Sequence, residues 1–323
     1  MHHVRLVTGD VGAALEFYRD VLGLSPVEEA AGGVGGGGSL LLRAGAASGG
    51  FLVVEASEGL ERGRPGIGGV HHVALGTAGE EEILMWKRRL DDAGVSVTGP
   101  YDRGYFTSIY FRDPDGQILE IATAGPGYTY DEPLESLGER LVLPPNRIVR
   151  GYRDEASIRA LTHAEPVPEI TEGMRVTGIH HVSGITDDLD MTGALLEQGL
   201  GMRLVKRTTN RDDPSQLHYF WAGERGGHLA DHGTMTLFGW PPGWNVTRAG
   251  IGQTSAVGFD AGGEDLANWT EHLGRHGFRV EEPAEDPFFT VVRLRSHDGM
   301  GIELVASARD RHESASVDRP QSR

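Results

Sequence analysis

Cysteine is absent from the 323 residues, which excludes disulfides, thiolate metal sites and cysteine nucleophiles together. Any metal held by this chain must therefore sit on histidine and carboxylate. Lysine is scarce as well: only Lys87 and Lys206 occur among 30 basic residues, and no basic run is present. Against 47 acidic residues the formal net charge is −17, which argues against nucleic-acid binding, since that affinity is mostly cationic contact with phosphate. Long apolar runs are missing too. No stretch approaches the roughly 18 residues of a membrane span, and Met1-His2-His3-Val4-Arg5-Leu6 lacks the apolar core of a secretory signal. A soluble cytoplasmic protein with no membrane or nucleic-acid partner is expected. Hydrophobic content of 38% is enough for a buried core, and the length makes two domains the default.

What is present is a pattern written four times, each copy a strand, a helix and further strands. The first opens at residues 3–7, has Asp10 as N-cap of a helix through Leu15, Tyr18 and Leu22 that stops at Gly23, and closes near 51–55. Its middle, residues 32–50, is glycine-rich and reads as a loop around a short strand at 40–42. The second runs from Gly69 to Thr123, with a helix over about 80–93, a strand at 105–111, the hairpin signal Asp113-Pro114-Asp115-Gly116 and a return strand at 118–122. The third starts at Gly178, has a helix over about 187–198 and closes at 234–238. The fourth starts at Gly252, has a helix near 264–275 and closes at 301–304. Residues 126–176 are Pro-rich and charged and read as a connector, with one helix near 155–161. The chain thus divides into modules over 1–125, the connector, modules over 177–307 and a polar tail over 308–323. The expected fold is α+β, with four βαβββ modules pairing into two half-open barrels.

Chemistry-bearing residues sit at repeated places in this pattern. Side chains alternate along a strand, so His72 lies opposite the face shared by His71, Val73 and Leu75, and Glu120 lies opposite Leu119 and Ile121. Each strand turns an apolar row one way and a single metal-competent group the other. The hairpin turn places Tyr110 and Glu120 on neighbouring antiparallel strands. His180-His181 repeats the histidine pair in the third module. Glu303 repeats the position of Glu120 in the fourth, but Ser255 stands where a first-strand histidine would be, so His3, Glu55 and Glu303 are only a secondary candidate set. Imidazole with carboxylate suits Fe(II), Mn(II) or Zn(II).

The fourfold repeat, with histidine on first strands and glutamate on a last strand, resembles the vicinal oxygen chelate superfamily of glyoxalase I, extradiol dioxygenases and bleomycin-resistance proteins. A narrower likeness is more specific. The runs RGYFTSIYFR at 103–112, LEIAT at 119–123, DEPLESLGE at 131–139 and LPP at 143–145 look like the C-terminal half of the hydroquinone-type ring-cleaving dioxygenases. The runs GIHHVS at 178–183, LVKRTTN at 204–210 and DDP at 212–214, with His218, look like the N-terminal half of the same family. The halves stand in reversed order, as if permuted.

Carried over residue by residue, the resemblance implies His72, Glu120 and His181 as metal ligands. It implies Tyr110 and Arg103 as catalytic groups near the substrate, His71 and His180 as catalytic histidines beside the ligands, and Ser183 and His218 as substrate-binding residues. If the family's arrangement survives the permutation, the second and third modules share the metal cavity and the first and fourth form the other barrel; if adjacent modules pair instead, His3 takes the place assigned to His181. The implied cofactor is Fe(II), with Mn(II) as a substitute, and O2 is the co-substrate in cleavage of a small aromatic hydroquinone or catechol by a homo-oligomeric enzyme. A glyoxalase or isomerase, and a metal-free small-molecule binding protein, are the alternatives on the same fold. Ligand count separates the first two: the glyoxalase pattern takes four protein groups, and residues 234–238 offer no acid or imidazole for the fourth.

Overall fold

The computed structural model describes residues 1–30, 38–46, 49–57, 59–225, 228–230 and 232–306. Part of the expected glycine-rich loop and all of the expected polar tail lie outside the described residues. The first module carries β1 (His3–Thr8), α1 (Val11–Glu16), β2 (Ser25–Ala30), β3 (Ser39–Arg43) and β4 (Phe51–Ala56). The second carries β5 (Gly69–Thr77), α2 (Glu80–Asp92), β6 (Thr98–Asp102), β7 (Thr107–Arg112) and β8 (Ile118–Thr123), and the connector holds α3 (Glu155–Ala160). The third has β9 (Ile179–Thr186), α4 (Leu189–Ala194), β10 (Arg203–Thr209), β11 (Leu217–Ala222) and β12 (Thr234–Gly239). The fourth has β13 (Gln253–Asp260), α5 (Leu266–Arg275), β14 (Ala284–Glu285), β15 (Thr290–Arg295) and β16 (Gly301–Val305).

Local chemistry sets these boundaries. The Asp10 and Asp188 carboxylates cap α1 and α4 by accepting backbone N–H bonds, which satisfies donors a helix start leaves free. Both short helices continue into a π-helical turn, Phe17–Val21 and Leu195–Gly199, the position of which is the same in both modules. Helix α2 ends before Gly94, whose φ of 77° is a left-handed stop that costs glycine little. Trp86 and Leu90 bury its inner face completely.

The strands form two eight-stranded sheets among the described residues. One runs β14-β15-β16-β13-β1-β4-β3-β2 and the other β10-β11-β12-β9-β5-β8-β7-β6. The first module therefore pairs with the fourth, and the second with the third. The sequence segments 1–125 and 177–307 are not packing units, because each sheet takes one module from either side of the connector. In the seam between modules two and three, β5 and β9 run antiparallel with Ala74 opposite His181 and His72 opposite Ser183. On its other edge β5 runs parallel to β8, with Ala74 beside Glu120. His72 and Ala74 share one face of β5, so the small Ala74 leaves room in which His72, His181 and Glu120 meet.

The other sheet has the same layout with different contents. His3 lies opposite Gly258 and Arg5 opposite Ala256. By that register Ala256, next to the Ser255 singled out in the sequence, occupies the place of His72. A Cβ on Gly258 would come within 2.1 Å of the His3 ring, so only glycine admits that imidazole. The candidate set of His3, Glu55 and Glu303 is filled by an arginine: Arg5 donates to Glu303 and Glu55 at 2.7 Å each and to Asp286. His3 Nε2 lies 2.8 Å from Glu303, and Arg293 adds a bond to it at 2.9 Å. A fixed guanidinium thus stands where a cation would, and the cluster is a structural ion network.

Burial would raise the Glu303 carboxyl, but His3 and Arg5 outweigh it and hold it at about 2, below its ordinary value of 4.5. A carboxyl lowered on folding contributes stability above its unfolded pKa and loses it as pH falls toward the folded one. Glu303→Gln is therefore expected to cost about 3 kcal/mol at pH 7, read by urea denaturation. The difference from wild type should shrink as pH falls from 4.5 toward 2, the range between the two values. A difference independent of pH would show that the charge contributes nothing.

Candidate metal centre

His72 Nε2, His181 Nε2 and Glu120 Oε2 converge at one point. The separations are 2.9 Å from His72 to Glu120, 3.3 Å from His181 to Glu120 and 3.2 Å between the two imidazoles. All three residues are buried. Although Glu120 Oε2 is within reach of both rings, it makes no hydrogen bond, so a buried carboxylate oxygen is left without a partner. A metal with ligands at about 2.1 Å would set adjacent corners of an octahedron about 3.0 Å apart, close to the spacing found here. The donors present thus fit a divalent cation. The second Glu120 oxygen accepts from Ser108 Oγ, which fixes the carboxylate's rotation. Burial would raise the Glu120 carboxyl, but His181 and His72 more than offset this and hold it well below the usual range, so it is ionised at neutral pH.

Each centre histidine is backed by its chain neighbour. His71 Nδ1 lies 2.8 Å from His72 Nδ1, and His180 Nδ1 lies 2.8 Å from His181 Nδ1. Burial, above all other causes, lowers both His71 and His180 to about 3, so the backing rings are neutral. Their surroundings differ. His71 faces the cavity beside the centre, while His180 sits edge-on to Phe106 at 5.0 Å and takes no part in the cavity wall.

That cavity is about 970 Å³, and His72, His181, Tyr110, Arg103 and His218 share its wall. Tyr110 stands directly across from Glu120 in the β7–β8 pair, as the hairpin turn implied, with its ring 5.6 Å from that of His72. Burial drives its hydroxyl well above the usual range, with Arg103 opposing, so it remains an O–H donor. The Arg103 guanidinium lies 5.1 Å from the Tyr110 ring and donates to Asp212 at 3.2 Å. Ser183 is a correction. Expected at the substrate, it is fully buried beneath His72, with Oγ at 2.9 Å from His72 Nε2 and 2.6 Å from Thr236 Oγ1. His218 does reach the cavity, and its Nε2 meets Thr236 Oγ1 at 2.9 Å.

Thr236 and Ser108 are the parts of the site that sequence reading missed. Thr236 pairs with Ser183 across β12 and β9 just as Glu120 pairs with Ala74 across β8 and β5, so it holds the place of a fourth ligand. Its hydroxyl ties Ser183 to His218 instead. Ser108 was within reach of strand periodicity, since it lies two residues before Tyr110 and shares its face. The connector was also underrated. Lys206, fully buried on β10, binds Glu132 at 2.7 Å and Asp131, and the segment then returns to bring Arg150 and Arg153 into the cavity wall. One other group of metal-competent donors gathers among the described residues, the partly exposed Asp187, His297 and Asp298.

Residues 1–121 match the family model described as the Glyoxalase/Bleomycin resistance protein/Dioxygenase superfamily. The chain is 41% identical over 102 residues to MhqA of Bacillus subtilis (strain 168), a protein carrying a provisional ring-cleaving dioxygenase name, with 32% of each chain covered. It is 30% identical over 138 residues to the chlorohydroquinone/hydroquinone 1,2-dioxygenase of Sphingobium indicum, with 42% of each covered. The matched segments thus span about a third to two fifths of these relatives' length. At the level of fold the likeness is far longer. A Bacillus subtilis structure provisionally named a dioxygenase superposes with a TM-score of 0.67 at 19% identity, covering 95% of this chain and 85% of its own. Glyoxalase I from Zea mays superposes with a TM-score of 0.59 at 14% identity, covering 95% and 92%. Over residues 1–121 the chain is thus similar in sequence to the glyoxalase, bleomycin resistance protein and dioxygenase superfamily, and its two curled eight-stranded sheets share the fold of these solved structures.

Proposed function

We propose that this chain is an Fe(II)-dependent dioxygenase that uses O2 to open the ring of a hydroquinone or catechol. The observation that carries the reading is the meeting of His72, His181 and an unbonded Glu120 oxygen in the wall of a substrate-sized cavity. The ring-cleaving names of the sequence relatives support it. The glyoxalase-type alternative needs a fourth protein ligand, and Thr236 stands in that place with its hydroxyl engaged.

His72, His181 and Glu120 would hold Fe(II), and Mn(II) suits the same donors. When bound, such an ion supplies Lewis acidity to a phenolic oxygen and open positions for both ring and dioxygen. The protein's own groups prepare the rest. Tyr110, kept protonated by burial, donates a hydrogen bond to a substrate oxygen. Arg103, anchored by Asp212, stabilises negative charge as it develops on the ring. With His72 Nε2 holding the ion, His72 Nδ1–H donates to His71 Nδ1, so the neutral His71 carries its proton on Nε2 and donates to a substrate oxygen, while His218, also held neutral by burial, meets the substrate at the cavity wall. His180 acts through His181 by fixing its ring orientation, and Ser183 Oγ, 2.9 Å from the ligating His72 Nε2, lies beside the place the ion would take.

The purified protein is expected to carry iron and to consume oxygen when substituted hydroquinones or catechols are added. Bound metal with no oxygen uptake for either class would overturn the proposal. His181→Ala is expected to abolish iron retention and His3→Ala to leave it intact, measured by elemental analysis after dialysis. The reverse result would reassign the third ligand. Tyr110→Phe should keep its iron and lose about a hundredfold in kcat/KM, the scale of one positioned proton donor. Unchanged kinetics would remove Tyr110 from the chemistry.

A further inference from the structure

The cavity beside the metal centre is basic in a chain that is acidic overall. Five arginines line it, Arg103, Arg150, Arg153, Arg159 and Arg211, against three carboxylates. Those carboxylates are already engaged. Asp154 caps α3, accepting from the backbone of Ala156 and Ser157 and from Ser157 Oγ. Glu155 takes Arg153 Nε at 2.7 Å. Asp212 is divided between two guanidinium groups, with Arg153 Nη2 at 2.7 Å and the two Nη groups of Arg103 at 3.2 Å.

Arg211 has less compensation still. It is 4% exposed, yet among the described residues no carboxylate lies within ion-pair distance of it. Its Nη groups donate to Thr208 Oγ1, the Thr209 carbonyl and the Arg103 carbonyl, while Nε has no partner. Arg153 Nη1 is likewise buried without a partner. A buried cation is ordinarily matched by an anion, because desolvating an unpaired charge is costly. The groups are also contiguous: Arg211 bonds to the Arg103 backbone, and Arg103 and Arg153 both lie against the Tyr101 ring, at 5.2 and 4.1 Å.

We infer that this wall is a subsite for an anionic substituent on the ring, a carboxylate in its simplest form, seated among Arg103, Arg153 and Arg211. The inference rests on the aromatic-substrate reading given above. It narrows the substrate class to hydroquinones or catechols that bear an acidic side chain, with the hydroxylated edge at the metal and the acid toward the connector.

The test is anaerobic calorimetric binding of (2,5-dihydroxyphenyl)acetate and its neutral analogue (2,5-dihydroxyphenyl)acetamide to the iron-loaded protein. The acid is expected to bind about tenfold more tightly, the scale of one added charge-assisted hydrogen bond. Arg153→Met and Arg211→Met should each lower the ratio of acid to amide affinity toward one, and Arg153→Lys should restore part of the preference. Equal affinity of acid and amide in wild type overturns the subsite, and a preference that survives both Met variants overturns its assignment to these arginines. Should the variants fail to fold, the wild-type preference is itself diagnostic, since it must weaken as salt is raised. Oxygen uptake separates the two readings. A protein that prefers the acid but consumes no oxygen with either compound refutes ring cleavage and leaves the subsite standing, whereas oxygen uptake with equal binding does the opposite.

Discussion

The antiparallel seam of β5 on β9 is the constraint from which the site follows. It joins modules from opposite sides of the connector and sets His181 across from Ala74. A slip of one residue would turn every side chain of β9 to the other face, sending His181 into the core and Val182 into the cavity. The core forbids that slip. Val182 and Ile179 are buried on the far face opposite the buried Val73 and Leu75, and a slip of β9 would exchange each of them with a histidine. The position of three donor atoms is therefore held by apolar packing on the opposite side of the same sheet.

Much of this was legible in the chain because the signals are local. Period-two alternation marked the strands, Asp10 marked a helix start and Gly94 an end, and the histidine pairs stood out by repetition. Which module meets which could not be read from alternation, which says nothing about strand edges; the resemblance alone implied the pairing that the sheets have. His3 and His181 carry the same His-His-Val signature, and each lies near the start of a module's first strand, His3 first in β1 and His181 third in β9. What separates them lies two residues further on the same face, where one has Ser183 and the other Arg5. A long cation at that place fills the hole that the other copy leaves open. The connector arginines escaped for a different reason: residues 126–176 have almost no periodicity, so their return to the cavity depends on contacts distant in sequence, such as Lys206 with Glu132.

The two sheets are thus one architecture with two solutions to the same electrostatic problem. In each, first strands and a last strand bring imidazole and carboxylate together away from water, which cannot persist without positive charge nearby. Around Glu303 the charge is covalent and permanent, supplied by Arg5 and Arg293. Glu120 instead accepts from the neutral hydroxyl of Ser108, and His72 and Thr236 meet the hydroxyl of Ser183 where the other sheet has Arg5, so no guanidinium fills the space among the three donors. Small side chains distinguish the half that leaves an open set of donors from the half that an arginine fills.

The order of strands within each sheet has a consequence for biosynthesis. As the polypeptide leaves the ribosome, β5 through β8 are complete while β9 is still untranslated, and the inner edge of β5 has nothing beside it. The nascent protein must carry that bare edge, with His72 and Glu120 at its margin, across the whole length of the connector's translation. The full set of His72, Glu120 and His181 can assemble only after β9 arrives, so the completed site is a late event in the life of the molecule.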